Sequence, residues 1–415
     1  MNLSKTISIW LLGLMVLALG ACGGPRPSPQ EVERVLRVSW QSYRQQFILP
    51  AGRVQIPERD GGTISEAQAY ALLRAVWAGD AATFAGVYAW THTHMMRSDH
   101  LLAWHWGRRA DGSWGVLDAN TASDGDLDYA LALALAARRG WRAPPGLPDY
   151  LAEAREVLAA IWEKEVVALP AGLQLLTPGN WHEAEPPYLF NPSYFSPAAY
   201  RLFSQVYGEQ PPSAVPVAPR PPAVSGQNGG PVGAVLEPPA WDRLHQDTYK
   251  LLTRLAQGLD TTGVGLFPDW CRVDAQGRLS PAPGREMQFG WEAVRLPWRL
   301  ALDHLWFSEP RTAGILGPKF LPFFQKEWQS RGKLAAFYDF DGAPAADYES
   351  PVLYAGVLAA AQTAGDRDFA RLLAEKILTF YHEQNGQAYF VSPDNYYANN
   401  WAWLGLALYA GWVKP

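Results

Sequence analysis

Apolar residues recur at helical spacing along most of the chain from about residue 28 onward. The first such segment begins Ser28-Pro29-Gln30-Glu31, which combines an N-cap, a first-turn proline and a capping-box glutamate. The same periodicity predicts further helices near 65–79, 82–97, 125–139, 147–168, 196–207, 241–258, 290–307, 314–330, 347–364, 367–384 and 396–412. About twelve helices at this regular spacing predict an all-α fold, with the element spacing of a solenoid or a helical toroid.

Two segments depart from the helical pattern. The stretches LLAWHW (101–106) and SWGVLD (113–118) alternate apolar and polar residues around Gly- and Asp-containing turn residues, which predicts a small β-hairpin. Residues 211–240 contain nine prolines and several glycines, a composition that cannot hold a helix. Since helical segments of similar character lie on both sides, we interpret 211–240 as a long loop within one domain rather than as a linker between two.

Composition limits the function classes. Apolar residues make up 48% of the 415 residues and charged residues 18%, so the chain can bury a large core. The formal net charge is −5 and no run of Lys or Arg stands out, which argues against a nucleic-acid partner. The chain also has 19 Trp, 18 Tyr and 16 Phe, which serve equally well in a core or as flat faces for sugar rings.

The N-terminal segment has the pattern of an export signal. Residues 1–21 place Lys5 before an uncharged run of about 15 residues, shorter than the roughly 20 that a spanning helix needs. The run ends in Leu-Gly-Ala before Cys22, which resembles a bacterial lipobox. We therefore predict a signal peptide (1–21), lipidation at Cys22, a tether (22–28) and an exported protein anchored in the cell envelope. Cys271 has no intramolecular partner, so no disulfide framework is expected.

Acidic residues gather at the starts of predicted helices. Glu66 follows Ser65 at a helix start, where a carboxylate interacts favourably with the helix dipole. Glu292 lies three residues before Arg295, the spacing of an ion pair on one helix face, in a segment rich in Trp. Each pattern has an ordinary structural explanation, and each also suits a carboxylate whose pKa is tuned for catalysis.

Three aspartates crowd the start of another helix. Asp124, Asp126 and Asp128 lie within five residues ahead of a very apolar run, although like charges at that spacing repel one another. A calcium-binding loop does not fit, since Tyr129 stands where that loop needs Gly and Leu135 where it needs Glu. A helix start does not require three aspartates for its stability, so we assign a functional role to this segment.

These segments, taken in order, resemble glycoside hydrolase family 8. TISEAQAYALLRAVWAGD is similar to the family segment around the proton donor, which places the donor at Glu66. LLAWHWG followed by ASDGDLDYALALALAARRGW fits the signature around an active-site Asp, here Asp124. LFNPSYFSPAAYRLF matches a segment with an active-site Tyr, here Tyr194. WEAVRLPWR is similar to the segment with the general base and an Arg, here Glu292 and Arg295. NYYANNWAWLGLALYAG also resembles the C-terminal part of the family.

The resemblance implies an (α/α)6 barrel in one domain (29–415, with the insertion 211–240) and inverting hydrolysis of a β-1,4-linked glycan. We expect a cellulose-like β-1,4-glucan first, with a role in exopolysaccharide synthesis or turnover. Chitosan and xylan are same-family alternatives, and a non-catalytic glycan-binding lipoprotein is another. We expect a monomer that binds polysaccharide or oligosaccharide and uses no cofactor or metal.

The base position departs from the family's cellulase-like members, where Asp is common and this chain has Glu292. The longer side chain must be drawn back, or the water that it activates must shift. Glu183, Glu185 and Glu286 remain alternative bases.

An inverting reaction needs one protonated and one ionised carboxyl group, roughly 6.5–9.5 Å apart. A Glu with the ordinary pKa would be ionised at neutral pH, so the donor needs a raised pKa. We expect the nearby charge of Asp124, together with burial, to raise the pKa of Glu66. Arg295 would hold Glu292 ionised, and Tyr194 would position the water.

Other residues are assigned more loosely. His92, His94, His100 and His105 make a zinc site conceivable, although ordinary histidines explain them better. Aromatic residues are candidates for binding sugar rings or for packing in the core: Trp77, Trp104, Trp106, Trp181, Trp291 and Trp401.

Overall fold

The computed structural model describes residues 28–208, 240–259, 263–285 and 287–415. The predicted signal peptide 1–21, the lipidation residue Cys22 with the tether as far as residue 27, the loop 211–240 except its last residue, and Glu286 lie outside the described residues. The predicted domain boundaries therefore stay predictions.

Every second helix is buried over most of its length. These helices are rich in Ala and Leu and carry no continuous polar face, which places them in the interior. Ala130–Ala136 of one such helix is fully buried. The inner helices are α2 (Ser65–Ala78), α4 (Ser123–Arg138), α6 (Pro197–Gly208), α8 (Leu296–Phe307), α11 (Pro351–Thr363) and α13 (Tyr396–Tyr409).

The remaining helices lie outside this group and bury mainly one face. Ser28 caps the first of them, its Oγ accepting a hydrogen bond from the backbone N of Glu31 at 3.1 Å, as the sequence predicts. The outer helices are α1 (Pro29–Phe47), α3 (Ala81–Met95), α5 (Tyr150–Lys164), α7 (Trp241–Gly258), α9 (Pro310–Ile315), α10 (Leu321–Arg331) and α12 (Arg367–Leu378). A π-helical turn, Leu316–Phe320, joins α9 directly to α10, so the two count as one outer helix.

The inner helices form a closed ring. Along the chain α2 packs on α4, α4 on α6, α6 on α8, α8 on α11 and α11 on α13. Gly405 lets α13 approach α11, because a Cβ there would lie 2.6 Å from Ala355 Cβ. Arg74 of α2 closes the ring by donating to Asn399 O and Asn400 Oδ1 of α13. In the part of the chain that the structure describes, six inner and six outer helices give the (α/α)6 barrel, which confirms the predicted fold class.

Short strands decorate the barrel. The strands are β1 (Thr63–Ile64), β2 (His105–Arg108), β3 (Trp114–Asp118), β4 (Val166–Ala168), β5 (Gln174–Leu176), β6 (Tyr188–Phe190), β7 (Cys271–Val273), β8 (Leu279–Pro281), β9 (Gln288–Phe289), β10 (Tyr338–Asp339), β11 (Tyr381–Gln384) and β12 (Gln387–Phe390). The predicted hairpin is confirmed as β2 and β3, a few residues displaced, and it gains a third antiparallel strand, β1. The other sheets pair β4 with β5, β7 with both β6 and β8, β9 with β10, and β11 with β12.

Three predicted helices were too long. The segment 147–168 ends as a helix at Lys164, because Val166–Ala168 pairs as β4. The segment 367–384 ends at Leu378, and its last residues form β11 of a hairpin. The segment 290–307 begins with a 3-10 turn before α8 starts at Leu296.

Within the described ranges, none of the helices combines the length and the apolar character that crossing a bilayer requires.

Candidate active site

The N-terminal ends of the inner helices meet around one cavity of about 650 Å³. Each inner helix or the residues just before it contribute to the wall: Ser65 and Glu66, Ala122 and Asp124, Tyr194, Glu292 and Arg295, Ser350 and Val352, and Asn395–Ala398. Helix N-termini carry partial positive charge, so this end of the barrel favours negatively charged groups. The arrangement explains how carboxylates far apart in sequence come to share one site.

Gly125 brings the first two carboxylates together. It lies in the first turn of α4 and packs against the start of α2, where a Cβ would lie 2.4 Å from Ser65 Oγ and 3.0 Å from the backbone N of Glu66. Neither contact leaves room for a side chain, so the two helix starts approach closely only because this residue is glycine. Asp124 and Glu66 are thereby placed on adjacent walls of the cavity.

Arg295 is the centre of the site. Its Nη1 donates to Glu66 Oε2 at 2.7 Å and to Asp124 Oδ2 at 2.9 Å, and its Nη2 donates to Glu292 Oε2. The guanidinium is buried and also lies over the ring of Tyr194, 5.2 Å from its centroid. Glu66, Asp124, Glu292 and Tyr194, four site residues predicted from sequence, thus surround the fifth, Arg295.

The pKa of Glu66 is raised to about 7. Burial is the largest cause, and the charges of Asp124 and Asp128 raise the pKa further, whereas Arg295 lowers it. The predicted direction and the contribution of Asp124 are therefore borne out, with burial contributing more. A carboxyl group with this pKa is substantially protonated at neutral pH, so it can donate a proton.

Glu292 is held from a second side by residues that sequence analysis missed. Asn191 Nδ2 donates to Glu292 Oε2 at 3.0 Å. Asp269 Oδ1 accepts hydrogen bonds from the backbone N of Gly290 at 3.0 Å and of Ala293 at 2.7 Å, which fixes the turn that carries Glu292. Asn191 lies inside the family-like segment that supplied Tyr194, so a signal for it was present.

The predicted aromatic residues divide into two groups. Trp104 and Trp291 line the cavity. Trp181 is exposed, and its Nε1 donates to Thr121 O at 3.0 Å, one residue before Ala122 in the cavity wall. These three stay candidates for sugar contacts.

The other tryptophans correct the prediction, because the structure places them in the core. Trp77 lies near the opposite end of α2, packs edge-on against Trp298 and donates to Lys414 O at 3.1 Å. Trp106 lies beneath Trp114, with ring centroids 5.1 Å apart, and does not line the cavity. Trp401 is buried against Trp298.

The positions of Glu183 and Glu185 do not support a role as the general base. Glu183 pairs with Arg272 at 3.1 Å and accepts a hydrogen bond from Leu189 N, and it does not line the cavity. Glu185 is exposed and also outside the cavity wall. Glu286 lies outside the described residues.

In the described part of the chain, one group of side chains has the spacing of metal ligands: His245, Asp303 and Glu309. Arg201 donates to both carboxylates, and His245 Nε2 lies 2.8 Å from Asp303 Oδ2. Because a guanidinium already neutralises the carboxylates, this group is a buried ion-pair network and not a good cation site. The histidines of the conceivable zinc site do not form such a group; His92, for example, contacts Glu153 at 2.7 Å.

The geometry suits acid–base chemistry with a water molecule. Glu66 and Glu292 bond to different terminal nitrogens of one guanidinium, so with ordinary hydrogen-bond lengths their bonded oxygens lie at most about 8 Å apart. An inverting glycosidase needs roughly 6.5–9.5 Å between its carboxyl groups. One of the pair, Glu66, has a raised pKa, and the other, Glu292, lies at the more open side of Arg295.

Comparison with known proteins gives consistent relatives. The family described as glycosyl hydrolases family 8 matches residues 14–212. An endoglucanase of Salmonella typhi is 29% identical over 283 residues, covering 67% of this chain and 65% of that protein. An endoglucanase of Pseudomonas fluorescens (strain SBW25) is 38% identical over 170 residues, covering 40% of this chain and 42% of that protein. The chain therefore spans less than two thirds of the length of these relatives.

A solved structure shares the fold over nearly the whole chain. The β-1,3-1,4-glucanase from Paenibacillus sp. X4 superposes with a TM-score of 0.72 at 18% identity, covering 94% of this chain and 95% of that one.

Proposed function

Because this chain belongs to glycoside hydrolase family 8, we propose that it is an inverting endo-glycosidase that hydrolyses β-1,4-glucan. The observation that carries the proposal is the pair of carboxyl groups, Glu66 and Glu292, held on one buried guanidinium at the wall of a single cavity. Relatives named endoglucanases, such as the Salmonella typhi protein, support a cellulose-like substrate.

The proposed mechanism assigns one role to each carboxyl group. Protonated Glu66 donates its proton to the glycosidic oxygen, so that the bond from this oxygen to C1 breaks with a neutral leaving group. Ionised Glu292 takes a proton from a water molecule, whose oxygen bonds to C1 from the opposite face of the ring. The product at C1 has the inverted configuration, and one water molecule is consumed for each bond broken.

Arg295 and Asp124 set the protonation states of the two catalytic carboxyl groups, Glu66 and Glu292. Arg295 favours the ionised form of Glu292, since its Nη2 bonds directly to that carboxylate. Asp124 opposes ionisation of Glu66 and holds Arg295 in place through its own 2.9 Å bond. Tyr194 lies against the same guanidinium and lines the cavity, where it limits how the water and sugar can enter.

The test replaces Glu66 with Gln, which keeps the shape and removes the acid. We expect kcat on hydroxyethylcellulose to fall by about 10³-fold, within the range for loss of a general acid or base, while the melting temperature changes little. Glu163→Gln, an exposed glutamate of α5 paired with Lys164, is the matched control and should keep full activity. Near wild-type turnover by Glu66→Gln would reject the assignment.

Stereochemistry separates the inverting from the retaining reaction. Proton NMR of the first products of cellopentaose should show the α-anomer before mutarotation. An initial β-anomer would contradict the roles of Glu66 and Glu292. Running the same assay with chitosan and xylan oligomers decides among the substrates, because the catalytic pair is common to all three.

We also propose that the protein is exported and lipid-anchored at Cys22, and that it takes part in exopolysaccharide synthesis or turnover. The sequence of residues 1–22 supports this proposal. Labelling cells with radioactive palmitate should mark the wild-type protein, and Cys22→Ser should abolish the label. Unchanged labelling of that variant would exclude lipidation at this residue.

A further inference from the structure

A second cavity, of about 710 Å³, adjoins the candidate active site. It lies at the three-stranded sheet β1–β2–β3 and shares Arg59 with the first cavity. His105, which lines the second cavity, contacts Trp104, which lines the first, with ring centroids 5.0 Å apart. The two cavities therefore meet at Arg59 and at the contact between Trp104 and His105.

The second cavity is rich in arginine. Arg59, Arg108 and Arg109 all line it and are all exposed, against one lining carboxylate, Asp60. In the described ranges, no carboxylate lies within ion-pair distance of these three guanidinium groups. His105 adds no charge at neutral pH, because burial and the nearby Arg59 lower its pKa.

The other nearby carboxylates are occupied by local turns. Asp111 Oδ1 accepts hydrogen bonds from the backbone N and the Oγ of Ser113, at 2.9 and 2.7 Å. Asp118 Oδ1 accepts from Asn120 N at 2.9 Å. The lining guanidinium groups therefore remain available for an anion supplied from outside the chain.

The same cavity has an aromatic wall. Trp114 is 42% exposed, and its ring stacks on buried Trp106 at 5.1 Å with an interplanar angle of 21°. Arg53 lies against both rings, with its Cζ 4.7 Å from the Trp114 centroid and 4.9 Å from that of Trp106. These contacts fix an exposed indole in one orientation. A fixed indole offers a flat apolar face to the apolar face of a pyranose ring.

Gly115 keeps the charged group and the aromatic wall together. A Cβ at this position would lie 2.2 Å from Nη2 of Arg109, so the guanidinium rests directly on the backbone of β3 next to Trp114. Guanidinium groups bind carboxylate and phosphate oxygens in a planar, two-pronged geometry. The combination of an indole face with adjacent arginines matches a sugar that carries a negative charge.

We propose that this cavity is a subsite for an anionic sugar of the glycan, a residue bearing a carboxylate or a phosphate ester, located beyond the cleavage point. The inference rests on the proposed glycosidase function, which it deepens by naming a substrate class. Exposed ion pairs are weak and screened by salt, so the subsite acts mainly on substrate affinity at low ionic strength.

The experiment compares polymers with the same β-1,4-glucan backbone: neutral hydroxyethylcellulose, C6-oxidised cellulose that carries carboxylates, and phosphorylated cellulose. The variant is Arg108→Gln with Arg109→Gln. The control is Arg142→Gln with Arg367→Gln, two exposed arginines outside both cavities that change the net charge equally.

We expect the Arg108/Arg109 variant to raise KM five- to tenfold on at least one anionic polymer at 20 mM salt, with kcat unchanged. The effect should shrink toward twofold at 0.5 M NaCl, and KM on the neutral polymer should change less than twofold. An effect confined to the oxidised polymer identifies a carboxylate, and one confined to the phosphorylated polymer identifies a phosphate. Equal changes on all three polymers, no change on either anionic polymer, or the same change in the control would overturn the proposal.

Affinity electrophoresis of the Glu66→Gln protein in gels containing each polymer separates this proposal from the proposed function. If wild-type protein hydrolyses none of the polymers, the function fails. Retardation by an anionic polymer that depends on Arg108 and Arg109 still supports the subsite, and its absence counts against it.

Discussion

Arg74 and Arg295, two of the buried arginines of the inner ring, differ in what surrounds them. Arg295 lies at the cavity end and bonds to three carboxylates. Arg74 lies farther along α2, surrounded by Trp40, Tyr43 and Trp403, with its Cζ 4.0 to 5.1 Å from the ring centroids. Its hydrogen bonds go to Asn399 O and Asn400 Oδ1 of α13.

The difference shows how one scaffold separates stability from chemistry. Aromatic rings stabilise a buried cation without adding groups that can be protonated near neutral pH. Carboxylates provide such groups, and their mutual repulsion is tolerated only because the guanidinium lies among them. The inner helices therefore use Arg74 to close the ring and Arg295 to organise proton transfer.

The largest expected effect comes from replacing each arginine with Met. Arg295→Met should lower kcat/KM on hydroxyethylcellulose by about 10³-fold, because the carboxylates lose the cation that orients them. Arg74→Met should leave kcat/KM within threefold at 20 °C while lowering the free energy of unfolding by about 1–3 kcal/mol, through lost ring contacts and an unpaired Asn400 Oδ1. Activity assays measure kcat/KM of both variants, and urea unfolding measures their free energies of unfolding. Comparable losses of activity would contradict the assignment of a structural role to Arg74 and a catalytic role to Arg295.

A smaller effect is expected where α2 and α4 meet. Gly125→Ala should lower kcat/KM by about 10- to 100-fold, because the added Cβ must move Glu66 relative to Asp124. Gly86→Ala in α3 is the matched control: a Cβ there has nothing within 4 Å, and Ala favours the helix by roughly 0.5–1 kcal/mol. Steady-state kinetics would contradict the packing argument if both variants kept full activity.

The pH profile of activity tests whether burial, which raises the pKa of Glu66, outweighs Arg295, which lowers it. Only the protonated carboxyl can donate, and its pKa is raised to about 7, so activity is retained below this pH. We expect log kcat/KM to fall with a slope approaching −1 above about pH 7. A decline that begins well below pH 7 would show that Arg295 outweighs burial, because Arg295 lowers this pKa. A profile that stays flat to pH 9 would show that another group donates the proton.

The smallest effect concerns two buried carboxyl groups that no arginine bonds. Asp126 accepts from Leu102 N at 2.8 Å, and Glu165 accepts from Thr121 Oγ1. Burial raises the pKa of Glu165 to about 8 and that of Asp126 well above its usual range. The folded state therefore keeps protons that the unfolded chain releases above about pH 4–5, so stability falls as pH rises from there to about 8.

Glu165→Gln replaces one of these carboxyl groups with an amide that does not bind a proton in this pH range. We expect its free energy of unfolding to fall less steeply with pH, by up to about 1.4 kcal/mol per pH unit. Glu163→Gln on the same helix is exposed and should keep the wild-type slope. Urea unfolding at pH 5.5, 7 and 8.5 measures the slopes, and identical slopes for all three proteins would count against a proton held by Glu165 in the folded state.

The features predictable from the sequence are those set by local or collinear pattern. Apolar periodicity located the helices because burial of one face repeats within each helix. The ends of helices were less predictable, since strand pairing with another segment ended them early. At β11–β12 the turn itself was visible: Asn385 and Gly386 both have positive φ, the geometry that Asn-Gly supplies in two-residue hairpins.

The supporting residues of the site could not be predicted in the same way. Asp269 acts through backbone N–H groups of residues 21 and 24 positions later, and no local pattern marks such a contact. The tryptophans were ambiguous for a related reason, because an indole packs or binds sugar according to its neighbours in space. For Trp77 the spacing was informative: eleven residues after Glu66, it lies about 16 Å farther along α2.

The closed ring also bears on how the molecule folds. Glu66 and Tyr397 line the same cavity, yet 331 positions separate them in the chain. Contacts between such distant segments form late, because the intervening loop must first be closed at a cost in entropy. Recovery of activity after dilution from denaturant should therefore lag behind recovery of helical circular dichroism. The rate at which activity returns then measures how fast the ring closes during folding.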